Sequence, residues 1–142
     1  MKPFLLDSGP LGKLANPRRH PEIAPWLDRQ LLRQVPIYIS EVADFEVRRS
    51  LLLDDLRASL ARLDAFQQIL NYAPITTADM RLAAEMWAAV RRRGKPTADP
   101  KALDCDVIIA AQAKRIGAII VIENIDHLAL LANAKHWRDL ST

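Results

Sequence analysis

Ala118-Ile119-Ile120-Val121-Ile122 runs straight into Glu123-Asn124-Ile125-Asp126-His127, and this junction decides how the chain is laid out. The first five residues are apolar without alternation and rich in β-branched side chains, the pattern of a strand covered on both faces. Leu103 to Ile116 ahead of it reads as a strongly apolar helix that stops at Gly117, a natural residue just past a helix end. A doubly covered strand fed by a helix belongs to a parallel sheet with helices on both sides. In such sheets the functional cleft lies beyond the carboxyl ends of the strands. The acids and amide that follow Ile122 therefore stand where ligands are bound.

Working toward the N-terminus, the same alternation recurs. Thr76-x-x-Asp79 is a capping pattern, and the helix it opens ends at Gly94 after Arg91-Arg92-Arg93, cations that suit a helix C-terminus. Tyr72 to Ile75 is a brief extended piece, and Leu56, Leu60, Leu63, Phe66 and Leu70 form the stripe of another helix. Ser40 is an N-cap candidate for a helix running to about Leu53, directly after the strand candidate Ile37-Tyr38-Ile39. Pro21 to Gln34 places Ile23, Trp26, Leu27 and Leu31 on one helical face, and Phe4-Leu5-Leu6 is a short buried strand ending at Asp7. Beyond Ile122, Leu128 to Ala132 reads as a helical turn and Trp137 to Leu140 as a last strand.

The bulk properties narrow the field. The 142 residues suit one domain, 1–142, and half of them are hydrophobic. The single cysteine, Cys105, excludes an internal disulfide and reads as a packing residue. No signal peptide and no membrane-length apolar run is legible, so the cytoplasm and no membrane contact are expected. Against 17 Asp and Glu stand 20 Lys and Arg, a net charge of +3, with basic clusters at Arg18-Arg19, Arg48-Arg49 and Arg91-Arg92-Arg93 beside Lys95. Walker and dinucleotide fingerprints are missing, and His20, His127, His136 and Cys105 have no zinc-site spacing.

The acids carry the chemistry. Asp7 closes the first strand, although Asp-Ser-Gly-Pro is also good N-cap chemistry. Glu46 shares a helical face with Val42 and Ala43, where a lone carboxylate is costly unless paired, with Arg49 at i+3 as one available partner. Glu41 and Asp44 are expected on the exposed side. Asp106 opens an apolar helical run, and Asp104 is available for the capping role in its place. Carboxylates converging from separate segments suit a hard divalent cation.

In this order the segments resemble the PIN-domain ribonucleases, particularly the VapC-like branch of toxin–antitoxin modules. Phe4-Leu5-Leu6-Asp7-Ser8 looks like the family's first motif and Asp44-Phe45-Glu46-Val47-Arg48-Arg49 like its second. Asp106-Val107-Ile108-Ile109-Ala110-Ala111-Gln112-Ala113 is very close to the third. In the fourth, Asn124 is retained, but Ile122 stands at the usual Thr and His127 where many members carry Asp; Asp126 is the adjacent substitute.

The resemblance implies a three-layer α/β/α fold with a mostly parallel central sheet. It also implies an endoribonuclease using Mg²⁺, or Mn²⁺, held by Asp7, Glu46 and Asp106 with Asp126 as a further ligand. Ser8, Asn124, Arg92 and Arg93 would contact the RNA, and a small antitoxin and a homodimer are the implied partners. The altered fourth segment leaves a second course open, a catalytically weak PIN domain that binds RNA or protein.

Overall fold

Five short strands, β1 (Phe4–Leu6), β2 (Ile37–Ser40), β3 (Asn71–Ala73), β4 (Ile119–Ile122) and β5 (Ala134–His136), form one sheet in the order β3-β2-β1-β4-β5. All four pairings are parallel. The computed structural model describes residues 1–94, 100–124 and 128–140, without the side chains of residues 100–102 and 130. Among these residues no helix is long and apolar enough to cross a membrane.

Side-chain alternation along the strands builds two cores. Phe4, Leu6, Ile37, Ile39, Ile119 and Val121 point to one face. There they meet α1 (Ser8–Ala15), α2 (Ile23–Leu32), α3 (Glu41–Leu53) and α4 (Arg57–Ile69) through Leu11, Trp26, Ala43 and Leu63. Leu5, Ile120 and Ile122 point to the other face, against Ile109 and Ala113 of α6 (Pro100–Ile116) and Leu128 of α7 (Leu128–Leu131). Because β1 and β4 are buried on both faces, they carry apolar residues continuously. This is the three-layer α/β/α architecture that the sequence implied, with a wholly parallel sheet.

α5 (Thr77–Arg92) packs on α6 rather than on the sheet, through Ala83, Val90, Leu103, Val107 and Ala111. Its N-terminus is fixed twice. Thr76 and Asp79 form a reciprocal capping box, in which the Asp79 N–H donates to Thr76 Oγ1 and the Thr76 N–H to Asp79 Oδ2. Arg115, in the last turn of α6, then donates Nε to Asp79 Oδ1 at 2.6 Å. The two helices are thus antiparallel, and the last turn of α5 lies beside the first turns of α6.

Three boundaries differ from expectation. The helix ending at Ile116 begins at Pro100, a proline in the first helical position, where its missing N–H is harmless. Leu56 precedes α4 and is largely exposed instead of joining its stripe. The last strand is Ala134–His136, and Trp137 to Leu140 is a 3₁₀ turn, anchored where Trp26 Nε1 and Gln30 Nε2 donate to the Leu140 carbonyl. Trp137 also packs edge-on against Trp26, so its apolar signal comes from core packing and not from sheet pairing.

Asp79 gives a stability test. Burial alone would raise its carboxyl, but hydrogen bonds from Arg115 and Thr76 outweigh this, and the net shift is downward. An acid with a lowered folded value adds stability above its unfolded value and loses it as pH falls through the folded value. Asp79→Asn is expected to cost about 1–2 kcal/mol at pH 7. Urea unfolding at several pH values should show the gap to wild type closing below about pH 4.

Candidate functional site

The strand order reverses between β1 and β4, so the crevice of the sheet opens at their carboxyl ends. Asp7 sits there. Its backbone N–H donates to the Val121 carbonyl at 3.1 Å, which extends the β1–β4 pairing by one residue. Asp7 is the N-cap residue of α1, yet its side chain makes no capping hydrogen bond. The capping account therefore makes no use of its carboxylate.

Glu46 comes from α3, which starts at once after β2 because Ser40 caps it, its hydroxyl accepting from the Ala43 N–H. The side chain is half-buried and lines an open groove of about 370 Å³ between α1 and α3, shared with Ser8, Gly9, Gly12, Val47, Arg49 and Ser50. Burial, then the Asp7 carboxylate and, more weakly, that of Asp106 push the Glu46 carboxyl above its ordinary value, while Arg49 pulls it down. Three acids from three elements therefore act on one another.

Asp106 is half-buried and lies two turns into α6. Both it and Asp104 are too far from the helix start to serve the N-terminal dipole, which removes the structural role expected for them. Cys105 beside it is half-buried, and burial and the Glu46 carboxylate raise its thiol, which disfavours a reactive thiolate.

Carboxylates from three elements that act on one another are the donor chemistry a hard divalent cation takes. Among the described residues, no three His, Cys, Asp or Glu side chains close to the spacing of a single ion's ligands. Asp126 and His127 lie outside the described residues. Ser8 opens α1 in the groove, and Asn124 is exposed just past β4. Arg92 ends α5 and Arg93 follows it, both exposed at the end of the α5–α6 hairpin that also carries Asp106.

Other acids have structural work. Asp44, expected to be exposed, is only 8 % exposed. It accepts from Tyr72 Oη at 2.9 Å and from Arg48, which also reaches Asp64. Glu41, likewise expected to point to solvent, is partly buried and accepts from the Ile75 N–H. Glu123, counted in sequence among the oxygen donors at the cleft, is instead bound by Lys13 Nζ and by Trp137 Nε1. Burial would raise its carboxyl, but these donors bring it down.

Two positions supporting the site carried no signal in the sequence. A Cβ on Gly9 would lie 2.8 Å from the Glu123 Cβ, so only glycine lets α1 cross the end of β4 this closely. Gln112, fully buried, accepts from Ser40 Oγ at 2.6 Å and donates to the Ala73 carbonyl at 2.8 Å. It ties α6 to the carboxyl ends of β2 and β3.

Parallel sheet, three layers and an acidic crevice at the β1 carboxyl end define an α/β protein with its candidate site at the switch point. The PIN domain model matches residues 4–132, and the chain belongs to that family, whose members are generally nucleases. Solved structures with the same fold include the VapBC2 complex of Rickettsia felis bound to a DNA fragment from its promoter. It is 18% identical, with a TM-score of 0.78, over 94% of this chain and 98% of that one. DNA-bound VapBC from Salmonella typhimurium is 22% identical with a TM-score of 0.75, over 96% and 99% of the two chains. FitAcB from Neisseria gonorrhoeae is 19% identical with a TM-score of 0.71, over 95% and 98%. A search of curated proteins finds no match.

The raised Glu46 carboxyl predicts a stability trade. An acid raised by folding penalises the folded state at pH values above its folded value and not below its unfolded one. Glu46→Gln should therefore stabilise the metal-free protein at pH 7, and the gain should vanish near pH 4. Thermal melts in EDTA at the two pH values check this.

Proposed function

We propose that the chain is a Mg²⁺-dependent endoribonuclease of the VapC kind, cutting RNA phosphodiester bonds at Asp7, Glu46 and Asp106. The observation that carries this is the mutual electrostatic pressure of these carboxylates at the β1 crevice, with Glu46 pushed up by burial, Asp7 and Asp106. Side-chain capping does not account for Asp7, nor the helix dipole for Asp106. Bound there, Mg²⁺ or Mn²⁺ would supply a Lewis acid for the phosphate oxygens and a low-pKa water.

The chain's own residues do the rest. Asp7, Glu46 and Asp106 would hold the ion, and without it their charge weakens the approach of the substrate's phosphate. Ser8, at the N-terminus of α1, and Asn124 offer hydrogen bonds to the RNA. Arg92 and Arg93, exposed at the end of α5, attract its backbone. Asp126 is the further metal ligand in this reading.

A small antitoxin protein is the proposed partner and a homodimer the proposed assembly, in the cytoplasm. Similar folds in VapBC complexes support the antitoxin partner. The second reading, a weak PIN domain that binds RNA or protein without cutting, is favoured by one observation: no three described ligand side chains stand at single-ion spacing.

Purified protein should cut RNA with Mg²⁺ or Mn²⁺ and stop in EDTA. Asp7→Asn and Asp106→Asn should each lower the cleavage rate about 100-fold or more, corresponding to at least about 2.7 kcal/mol of lost transition-state stabilisation. Undiminished cutting in both variants would reject the site. RNA binding without calorimetric uptake of Mg²⁺ or Mn²⁺ would favour the second reading.

A further inference from the structure

Phe45 is an unusual residue for its place. It immediately precedes Glu46 on α3, yet it is 56 % exposed, while Val42, Ala43, Asp44 and Val47 hold the helix to the body of the protein. Singly exposed apolar side chains are common on protein surfaces, and what sets this ring apart is the cation against it. The guanidinium of Arg49 lies 5.0 Å from the ring centroid. Arg49 itself lines the groove with Ser8, Glu46 and Ser50. Its neighbour Arg48 is committed to Asp44 and Asp64. The arginine that lines the groove with Glu46 is thus set on an exposed ring.

We propose that Phe45 and Arg49 form a nucleotide clamp, the ring stacking one base of a single-stranded RNA while the guanidinium holds a phosphate beside it. The proposal rests on the ribonuclease reading above and gives that site a preference for unpaired RNA. A ring accepts any base face, and a planar cation matches a phosphate's oxygens. Bases in a duplex are stacked on one another and offer the ring no free face. The groove beside Arg49 also includes Gly12, where α1 presents no side chain and faces Val47 of α3. Further along, exposed Leu52, Leu53 and Leu56 offer apolar side chains to a protein partner.

The test uses the full chain in EDTA, with short single-stranded RNA carrying 2-aminopurine, read by anisotropy and by quenching of the base. Phe45→Ala should weaken binding about tenfold and abolish the quenching, and Phe45→Trp should restore both. Arg49→Gln should weaken binding and reduce its salt dependence by about one phosphate contact. Binding of duplex RNA should be unchanged in Phe45→Ala, and melting curves should match wild type because the ring is outside the core.

Wild-type affinity of Phe45→Ala for single strands, or equal loss on duplex RNA, overturns the clamp. So does a Phe45→Ala variant that keeps its RNA affinity but loses a protein complex, which would make the ring a protein-docking residue. If the wild type cuts and binds RNA while Phe45→Ala is indistinguishable from it, the clamp alone falls. If the wild type neither binds nor cuts RNA, the ribonuclease reading falls with it.

Discussion

Carboxylates that repel one another across one crevice are the constraint that the surrounding structure has to hold. Asp7, Glu46 and Asp106 come from the end of β1, from α3 and from α6, and two of them raise the carboxyl of the third. Left to itself, a chain would relax such a cluster. The sheet prevents this because its strands have no freedom to move: Leu5, Leu6, Ile39 and Ile120 are fully buried between helical layers. Each such side chain contributes about 1.5–3 kcal/mol on burial, enough to hold a repulsive cluster whose acids remain partly in contact with water.

The molecule separates its acids by what surrounds them. Asp79 and Glu123 have cations and N–H donors at hand, sit lower than ordinary carboxyls, and hold helices in place. Glu46 has burial and like charge around it and sits higher. This divergence sets Glu46 apart from the acids that have structural work. Lys13 links the two groups: by binding Glu123 it fixes α1 across the end of β4, and α1 begins at Asp7. The crossing is close enough that Gly9 has no room for a side chain.

Much of the fold could be read from local patterns. The Thr76–Asp79 box, the Ser40 cap, the stop at Gly117 and the apolar run of β4 are each written in a few neighbouring residues, and each is present in the structure. The errors fall where a distant partner decides. Asp44 reads as exposed because Tyr72, its half-buried partner, is 28 residues away. Glu123 reads as a cleft acid because Lys13 lies 110 residues earlier. The Trp137–Leu140 segment reads as a strand because packing against Trp26 and a place in the sheet call for the same apolar residues.

Sequence alone determined the order of strands and helices and the layered architecture, and singled out three acids as candidates, since these depend on periodicity, caps and motifs of a few residues. Tertiary structure decided which acids stand together and which are neutralised. It assigned Glu123 to Lys13 and Asp44 to Tyr72, and placed Asp106 two turns inside α6, away from any capping role. It also set Phe45 in solvent beside Glu46 with Arg49 against its ring. The reason is that a carboxylate's charge and a ring's exposure depend on everything within a few ångströms. In a parallel sheet those neighbours come from segments far apart in the chain.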